Sequence, residues 1–351
     1  MKMATNSAKV AASYRADIMI GVALIFLAIV VPFIFPTRYL VGQLTIFFLW
    51  ATVVSQWNLV FGVAGIFSLA QMAIFAMGGY VAGMLGLYLG WSLWISMFFG
   101  GFASVVFSTL IGVACLRLRG AYVALLTFAI AQTMYLLIIT DTACFMRQGV
   151  TCRNFTGGTR GLAKFGDFGF RELLPYKYMA FGDYFLALSV LICAVAFSIF
   201  VIRSPVGLAF RALRDNQVCA EARGISKFKY QLLIFSASAF FTGVAGAVYA
   251  GHFRVMGANS LYLNLLLFLL SMLIIGGAGR IWGPLLGAAT LMLVDEVLKE
   301  FVDWRLAGLG IILVVFIVLW PKGLAGALDN MSSRFRKDTE FSDRGGKSHI
   351  P

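Results

Sequence analysis

The chain has 351 residues, 61% of them hydrophobic and 12% charged, against the roughly 25% charged residues of an ordinary soluble domain. Its formal net charge is +13, but the basic residues lie between apolar runs and at the two ends, where topology explains them better than a nucleic-acid partner does. A soluble enzyme is excluded, and the chain reads as an all-α polytopic membrane protein with no separate aqueous domain.

In chain order, residues 1–17 form an N-terminal segment carrying Lys2, Lys9 and Arg15. The first apolar span, 18–36, imitates a signal peptide. The "PTRYLVGQL" that follows lacks the small-residue cleavage pattern, so a retained helix is expected. Further spans are expected at 39–61, 63–88, 91–116, 120–140, 181–203, 230–250, 260–278, 283–299 and 304–320, about ten in all. Spans two and three have almost no connection at 61–63, and a broken or re-entrant segment there would change the count. With the N-terminus inside, eighteen of the 28 basic residues fall on the cytoplasmic side, and six of the rest belong to one long outer loop. Both termini, including the tail 325–351, are therefore expected to be cytoplasmic, with the membrane-spanning body at 18–324.

Two connections are long enough to have structure of their own. The periplasmic loop, 141–180, contains "NFTGGTRGLAKFGDFGF", whose glycines and aromatics suit a compact fold. Cys144 and Cys152 share this loop, and both a disulfide and two separate thiols are open. The cytoplasmic segment 204–228 has strong helix punctuation. Ser204 can cap a helix starting at Pro205, Asn216 can cap a second, and Gly224 can end it. Such a hairpin can dock on a protein or lie on the anionic leaflet. Ala220, Ala222 and Gly224 suit a protein groove, whereas an interfacial helix would carry a longer stripe of Leu, Phe or Trp.

Several chemistries have no residues to carry them. Asp183, Asp295 and Glu296 fall near span ends, so the midplane charge of an ion-coupled carrier is missing, and Asp295 and Glu296 read as an interfacial anchor. No GxxxxGK[ST] motif occurs. His252 and His349 make neither a metal cluster nor a catalytic pair, and Ser68 with Gln71 lacks a base. The acceptor patterns at Asn154 and Asn330 are too common to count. No catalytic residue, metal ligand or bound cofactor is expected.

One apolar stretch, "NLVFGVAGIFSLAQMAIFAMGGY" from Asn58, is rich in glycine and hydrogen-bonding side chains. It resembles the "NLLLGYAGQLSLGHAAFFGIGAY" of the permease subunits of ATP-binding-cassette importers for branched-chain and other hydrophobic amino acids. Asn58, Gly62, Ala64, Gly65, Ser68, Leu69, Gly78 and Tyr80 match, while Ile66, Ala70 and Gln71 depart from it. "TGGTRGL" from Thr156 is similar to "TGGSNGL", with Arg160 in place of a polar residue. "RDNQVCAEARGI" from Arg214 is similar to "RDNEIAAEAMGI", and "GGAGRIWGPLLGA" from Gly276 and "PKGL" from Pro321 complete the series. Five motifs in family order over roughly Leu40 to Leu324 identify the chain as a member, of the M type within the usual permease pair.

This resemblance implies a ten-helix, type II-like importer permease in the bacterial inner membrane. It implies a homologous second permease, two ATP-binding cassette subunits that use the ATP, and a periplasmic substrate-binding protein. It also assigns the coupling to the ATPase to Arg214, Asp215, Asn216, Ala220, Glu221, Gly224 and Ile225. For the substrate path, Gly62, Gly65, Ser68 and Gln71 are the candidates with Asn58 supporting, because freed backbone groups are tolerated at membrane depth only beside protein or a wet cavity. Packing through small residues is the alternative, and it is preferred for Gly78, Gly79 and "FFTGVAGAVYAG" from Phe240. Thr156, Gly157 and Gly158 serve equally well as path lining or as a loop fold. A cargo of urea, short amides or an aromatic acid on the same scaffold is one rival; an ion-coupled secondary carrier is the other.

Overall fold

The computed structural model describes residues 19, 21–35, 37–118, 120–148, 151–170, 175, 179–300, 308, 310–311, 314–316, 318 and 323–326. Among the described residues, six helices are long and apolar enough to span a membrane: α2 (Arg38–Asn58, continued by a π turn, Leu59–Val63), α3 (Gln71–Leu89), α4 (Leu93–Cys115), α5 (Ala121–Ile139), α6 (Met179–Arg203) and α9 (Lys227–Phe253). Three shorter ones, α1 (Gly21–Ile34), α10 (Leu263–Gly276) and α11 (Gly283–Leu298), stand at expected spans one, eight and nine. The tenth expected span, 304–320, falls largely outside the described residues, as do 1–17 and 327–351.

The sequence reading needs one correction. The third span begins at Gln71 and not at 63, because 64–70 is non-helical. The chain therefore breaks after α2, somewhat beyond the expected 61–63 junction.

The centre of the fold is a slab of α3, α4 and α9, with α2 packed between α9 and α6 and with α10 and α11 paired beside α2. Small residues bring the backbones of the slab into contact. A side chain at Gly100 would stand 2.5 Å from the Gly78 carbonyl oxygen, and one at Gly79 would stand 2.9 Å from that of Gly246. Gly243 lies against Ser104 and Gly246 against the Phe75 carbonyl. The packing role expected for Gly78, Gly79 and the Phe240 segment is thus what the helices show. Trp57, Phe75 and Tyr184 are fully buried around this seam. By contrast, only 28% of the apolar stretch of α5 is buried, against 83% for α2, so α5 hangs on the edge of the slab.

At one end of the bundle, the 141–170 region folds compactly. A hairpin of β1 (Met146–Gln148) and β2 (Thr151–Arg153) is followed by a 3-10 turn, Gly158–Arg160. β3 (Leu162–Ala163) then pairs antiparallel with β4 (Val255–Met256), just past the end of α9. Cys144 is disulfide-bonded, while Cys115, Cys193 and Cys219 are free thiols; Cys152 is the remaining cysteine of the five. Two side-chain clasps close this end. His252 Nδ1 lies 2.9 Å from Asp183 Oδ2, and Arg254 pairs with Asp167. Glu296 accepts a hydrogen bond from Tyr39 and pairs with Lys299, joining α2 to the end of α11. Burial alone would lower the Lys299 ammonium, but the Glu296 carboxylate and the Tyr39 hydroxyl outweigh it and hold the group above its ordinary value.

At the opposite end, α7 (Pro205–Asp215) and α8 (Gln217–Ala222) form the hairpin that the punctuation announces. Ser204 Oγ accepts from the Gly207 amide at 3.3 Å, and Asn216 Oδ1 accepts from the Cys219 amide at 3.0 Å. Gly224 adopts φ +83°, and the Ile225 and Gly224 amides bond back to the Ala220 and Glu221 carbonyls, the Schellman arrangement that ends α8. Phe210 buries the inner face of α7 in a cluster with Leu59, Val63, Ile66 and Phe235, and Leu213 on the same helix is buried as well.

A joint between the helix break, the hairpin and a glycine turn

Three elements distant in sequence meet at the hairpin end. The first is the break itself, many of whose backbone groups find individual partners. The Ala64 amide bonds the Leu59 carbonyl at 3.0 Å and the Ile66 amide bonds Val60 at 2.9 Å. Trp57 Nε1 donates to the Ser68 carbonyl at 2.9 Å, Thr127 Oγ1 of α5 accepts from the Leu69 amide at 3.0 Å, and Ser68 Oγ accepts from the Ala70 amide at 3.3 Å. In a membrane interior such partners are obligatory, since an orphaned backbone group costs several kcal/mol. Gly65 turns the chain with φ +71°, a conformation that L side chains rarely adopt.

The second element is the turn between α10 and α11. Asn58, 2% exposed at the end of α2, reaches it with both side-chain atoms: Oδ1 accepts from the Gly279 amide at 2.7 Å, and Nδ2 donates to the Arg280 carbonyl at 2.8 Å. Gly279 sits against the Gly62 carbonyl, and a side chain at either glycine would overlap the other's backbone.

The third element is the hairpin. Arg214, near the end of α7, lays its stem across Gly65, where an added Cβ would stand only 3.1 Å from its Cγ. Its guanidinium donates to the Gly62 carbonyl at the end of the π turn. A cation there also faces the negative end of the α2 dipole. Four residues expected to act in two separate places, Asn58, Gly62 and Gly65 on a path and Arg214 in coupling, thus belong to one joint, while Asn216 caps α8.

The remaining candidates lie elsewhere. Ser68 is buried at 2% and turned into the break. Gln71 is equally buried and donates to Thr242 Oγ1 at 2.7 Å, bridging α3 and α9. Thr156 is held by Asp141 Oδ2, 2.6 Å from both its amide and its hydroxyl. Gly157 and Gly158 have positive φ and lie against Gly161 and the Asp141 carbonyl, so their geometry is that of a loop fold. Asp215 is exposed, Glu221 accepts from Gln217 Nε2 at 2.9 Å, Ala220 is buried and Ile225 is half-buried. Among the described residues no group of His, Cys, Asp or Glu could hold a metal ion.

Sequence reasoning missed Gly279, Arg280, Thr127 and Thr242 as partners. For Gly279 the signal was the glycine spacing of "GGAGRIWG". The two threonines carry none, because a threonine in an apolar helix usually bonds its own preceding turn, as Thr127 and Thr242 also do.

With this geometry in hand, comparison with known proteins is informative. Residues 39–320 match the family described as branched-chain amino acid transport system / permease component. The high-affinity branched-chain amino acid transport system permease protein LivM of Escherichia coli K12 is 26% identical over 324 residues, covering 86% of this chain and 73% of that protein. The protein of the same name from Salmonella typhimurium LT2 is 27% identical over 288 residues, covering 76% of this chain and 65% of its own. No solved structure matches. The family and the six spanning helices describe a multi-pass inner-membrane transport protein. The chain belongs to the permease-component family of branched-chain amino acid transport systems.

Proposed function

We propose that the chain is the M-type permease subunit of an ATP-driven importer for branched-chain or related hydrophobic amino acids, and that the joint around Arg214 passes motion from its partner ATPase into the membrane. The observation that carries the coupling reading is the bond from the Arg214 guanidinium to the Gly62 carbonyl, beside the Asn58 clasp on Gly279. Through these contacts a displacement of α7 is felt at the same time by the end of α2, by the break and by the α10–α11 turn. A closing ATPase pair would supply the displacement by a rigid-body shift of the docked hairpin.

The hairpin's surface supports docking. Its apolar inner face is already satisfied, yet Leu208 and Val218 remain 64% and 77% exposed. These offer apolar anchors to a groove, flanked by the exposed Arg211 and Arg223. In this reading both termini and the hairpin are cytoplasmic, the 141–180 region faces a periplasmic binding protein, a second homologous permease completes the path, and the ATP is bound by the partners.

Reconstitution tests the proposal. The assembled complex in vesicles should take up a hydrophobic amino acid only with ATP inside the ATPase compartment and binding protein on the other side. Arg214→Ala should leave the complex assembled while ATP hydrolysis no longer drives uptake. Uptake by this chain alone on an ion gradient, indifferent to ATP, would falsify it in favour of a secondary carrier.

A further inference from the structure

The β-hairpin of β1 and β2 has an apolar side that the rest of the chain does not cover. Phe145, just before β1, and Phe155, just after β2, meet the ring of Tyr88 on α3. Tyr88 stands 5.5 Å from Phe145 and 5.9 Å from Phe155, stacked on the latter at 7°, and the two phenylalanines are 5.0 Å apart, centroid to centroid. Tyr88 Oη also donates to the Phe155 carbonyl at 2.8 Å. After this packing Phe145 is still 61% exposed and Phe155 45%. The contacts among the three rings explain where they sit but not the apolar area they leave open.

Two spanning helices fix the depth of that patch. Tyr88 is the penultimate residue of α3, so rings packed on it are level with the last turn of the span. On the other side, Asn154 Nδ2 donates to the Asp141 carbonyl just past α5, and Thr156 Oγ1 donates to the Ile138 carbonyl in the last turn of α5 at 3.5 Å. The apolar surface of both helices runs up to the same level: Leu89 of α3 is 59% exposed, and Leu137 of α5 is 67% exposed. Trp91 and Trp94, where α4 begins, are about equally exposed and stand where an aromatic belt marks the membrane boundary. A two-stranded hairpin leaves edge backbone groups that hydrocarbon cannot satisfy, so the depth that suits it is the head-group layer.

We propose that Phe145 and Phe155 dip into the head-group layer of the bilayer, so that the β-hairpin rests on lipid beside the ends of α3 and α5. Lipid is the occupant because the rings lie level with the ends of two spans and not beyond them, in line with surface that already faces the bilayer. A soluble binding protein would meet the turn from Gly158 onward instead. Resting there, the β-hairpin holds the depth of α5, the span that the slab grips least. This placement needs only the membrane assignment, so it stands or fails separately from the coupling role of Arg214.

The test uses the full chain with the rest of its transport system in its native membrane. Benzoylphenylalanine replaces Phe145 or Phe155, the membranes are irradiated, and the purified chain is weighed intact. Adducts of phospholipid mass are expected at both positions, as at Phe102, which is 61% exposed within the α4 span. A cross-link to another protein at either position, or no adduct where Phe102 gives one, overturns the proposal. Should the substituted chains not reach the membrane, the wild type decides in bilayer discs, with hydroxyl radicals generated in the surrounding water. Exposure of 61% and 45% would by itself slow attack only about twofold, whereas lipid cover should slow oxidation of Phe145 and Phe155 at least about fivefold relative to a free peptide of residues 142–156. A slowing of only about twofold sinks the idea.

Discussion

Replacing Gly62 by alanine probes the joint most sharply. The new methyl would stand 2.9 Å from the Gly279 Cα, and closer still to the Gly279 amide and Asn58 Oδ1. Carbon atoms prefer about 3.5–4.0 Å, so the α10–α11 turn has to retreat by about 1 Å. That retreat breaks the 2.7 Å and 2.8 Å bonds from Asn58, worth about 0.5–1.5 kcal/mol each, and adds overpacking strain of about 1–3 kcal/mol. A loss of about 2–6 kcal/mol follows. The measurement is the unfolding free energy of the purified full chain in detergent, followed by intrinsic fluorescence. Gly42 is the internal control, because it sits in the same helix with nothing within 4 Å of an added Cβ. Gly42→Ala should be neutral or stabilising by up to about 1 kcal/mol. Asn58→Ala combined with Gly62→Ala should cost less than the two separately, since removing the Asn58 side chain removes part of what the new methyl at 62 collides with. If Gly62→Ala is no worse than Gly42→Ala, the close approach of α2 to the glycine turn is not as described.

Other expectations follow from single contacts. Gly224→Val forces a β-branched residue to φ +83°, so the end of α8 should unwind at a cost of about 1–3 kcal/mol. Read as hydrolysis per substrate transported in the assembled complex, it should uncouple the two; an unchanged ratio would dismiss a critical cap there. For Gln71→Leu and Thr242→Val, a double-mutant cycle should give a coupling of about 0.6–1.7 kcal/mol, the range for hydrogen bonds between membrane helices. A coupling near zero would mean that the two side chains do not meet. Cys219 is an exposed free thiol on α8, whereas Cys115 is buried. A membrane-impermeant maleimide should therefore label Cys219 in inside-out vesicles but not in right-side-out ones, and the reverse pattern would invert the proposed topology.

What the sequence disclosed depended on how local each cause was. The hairpin's boundaries were legible because Ser204, Asn216 and Gly224 fix the chain by bonds to atoms within a few residues and Pro205 by its ring-locked φ. Glycine seams were legible as composition, though their partners were not, since Gly78 and Gly243 are joined only by the fold. The break was misplaced for a physical reason. "IFSLA" is as apolar as any helix, and nothing within it forbids helical geometry apart from its neighbour Gly65. Part of what holds it out of a helix is supplied from afar, by Thr127 on α5. The Asn58 clasp spans 221 and 222 residues, so one sequence read without its fold could suggest a polar residue of consequence but not its partners.

The glycine contacts of α3, α4 and α9 have a mechanical consequence. Where backbone touches backbone there are no side chains to change rotamer, and so there is no second packing for the slab to adopt. These three helices are the stiff part of the fold. Any displacement is left to the rim, where the least-buried span, α5, holds Leu69 near one end of the seven-residue break, Ala64 to Ala70, and the arginine of the hairpin holds Gly62 just before the other.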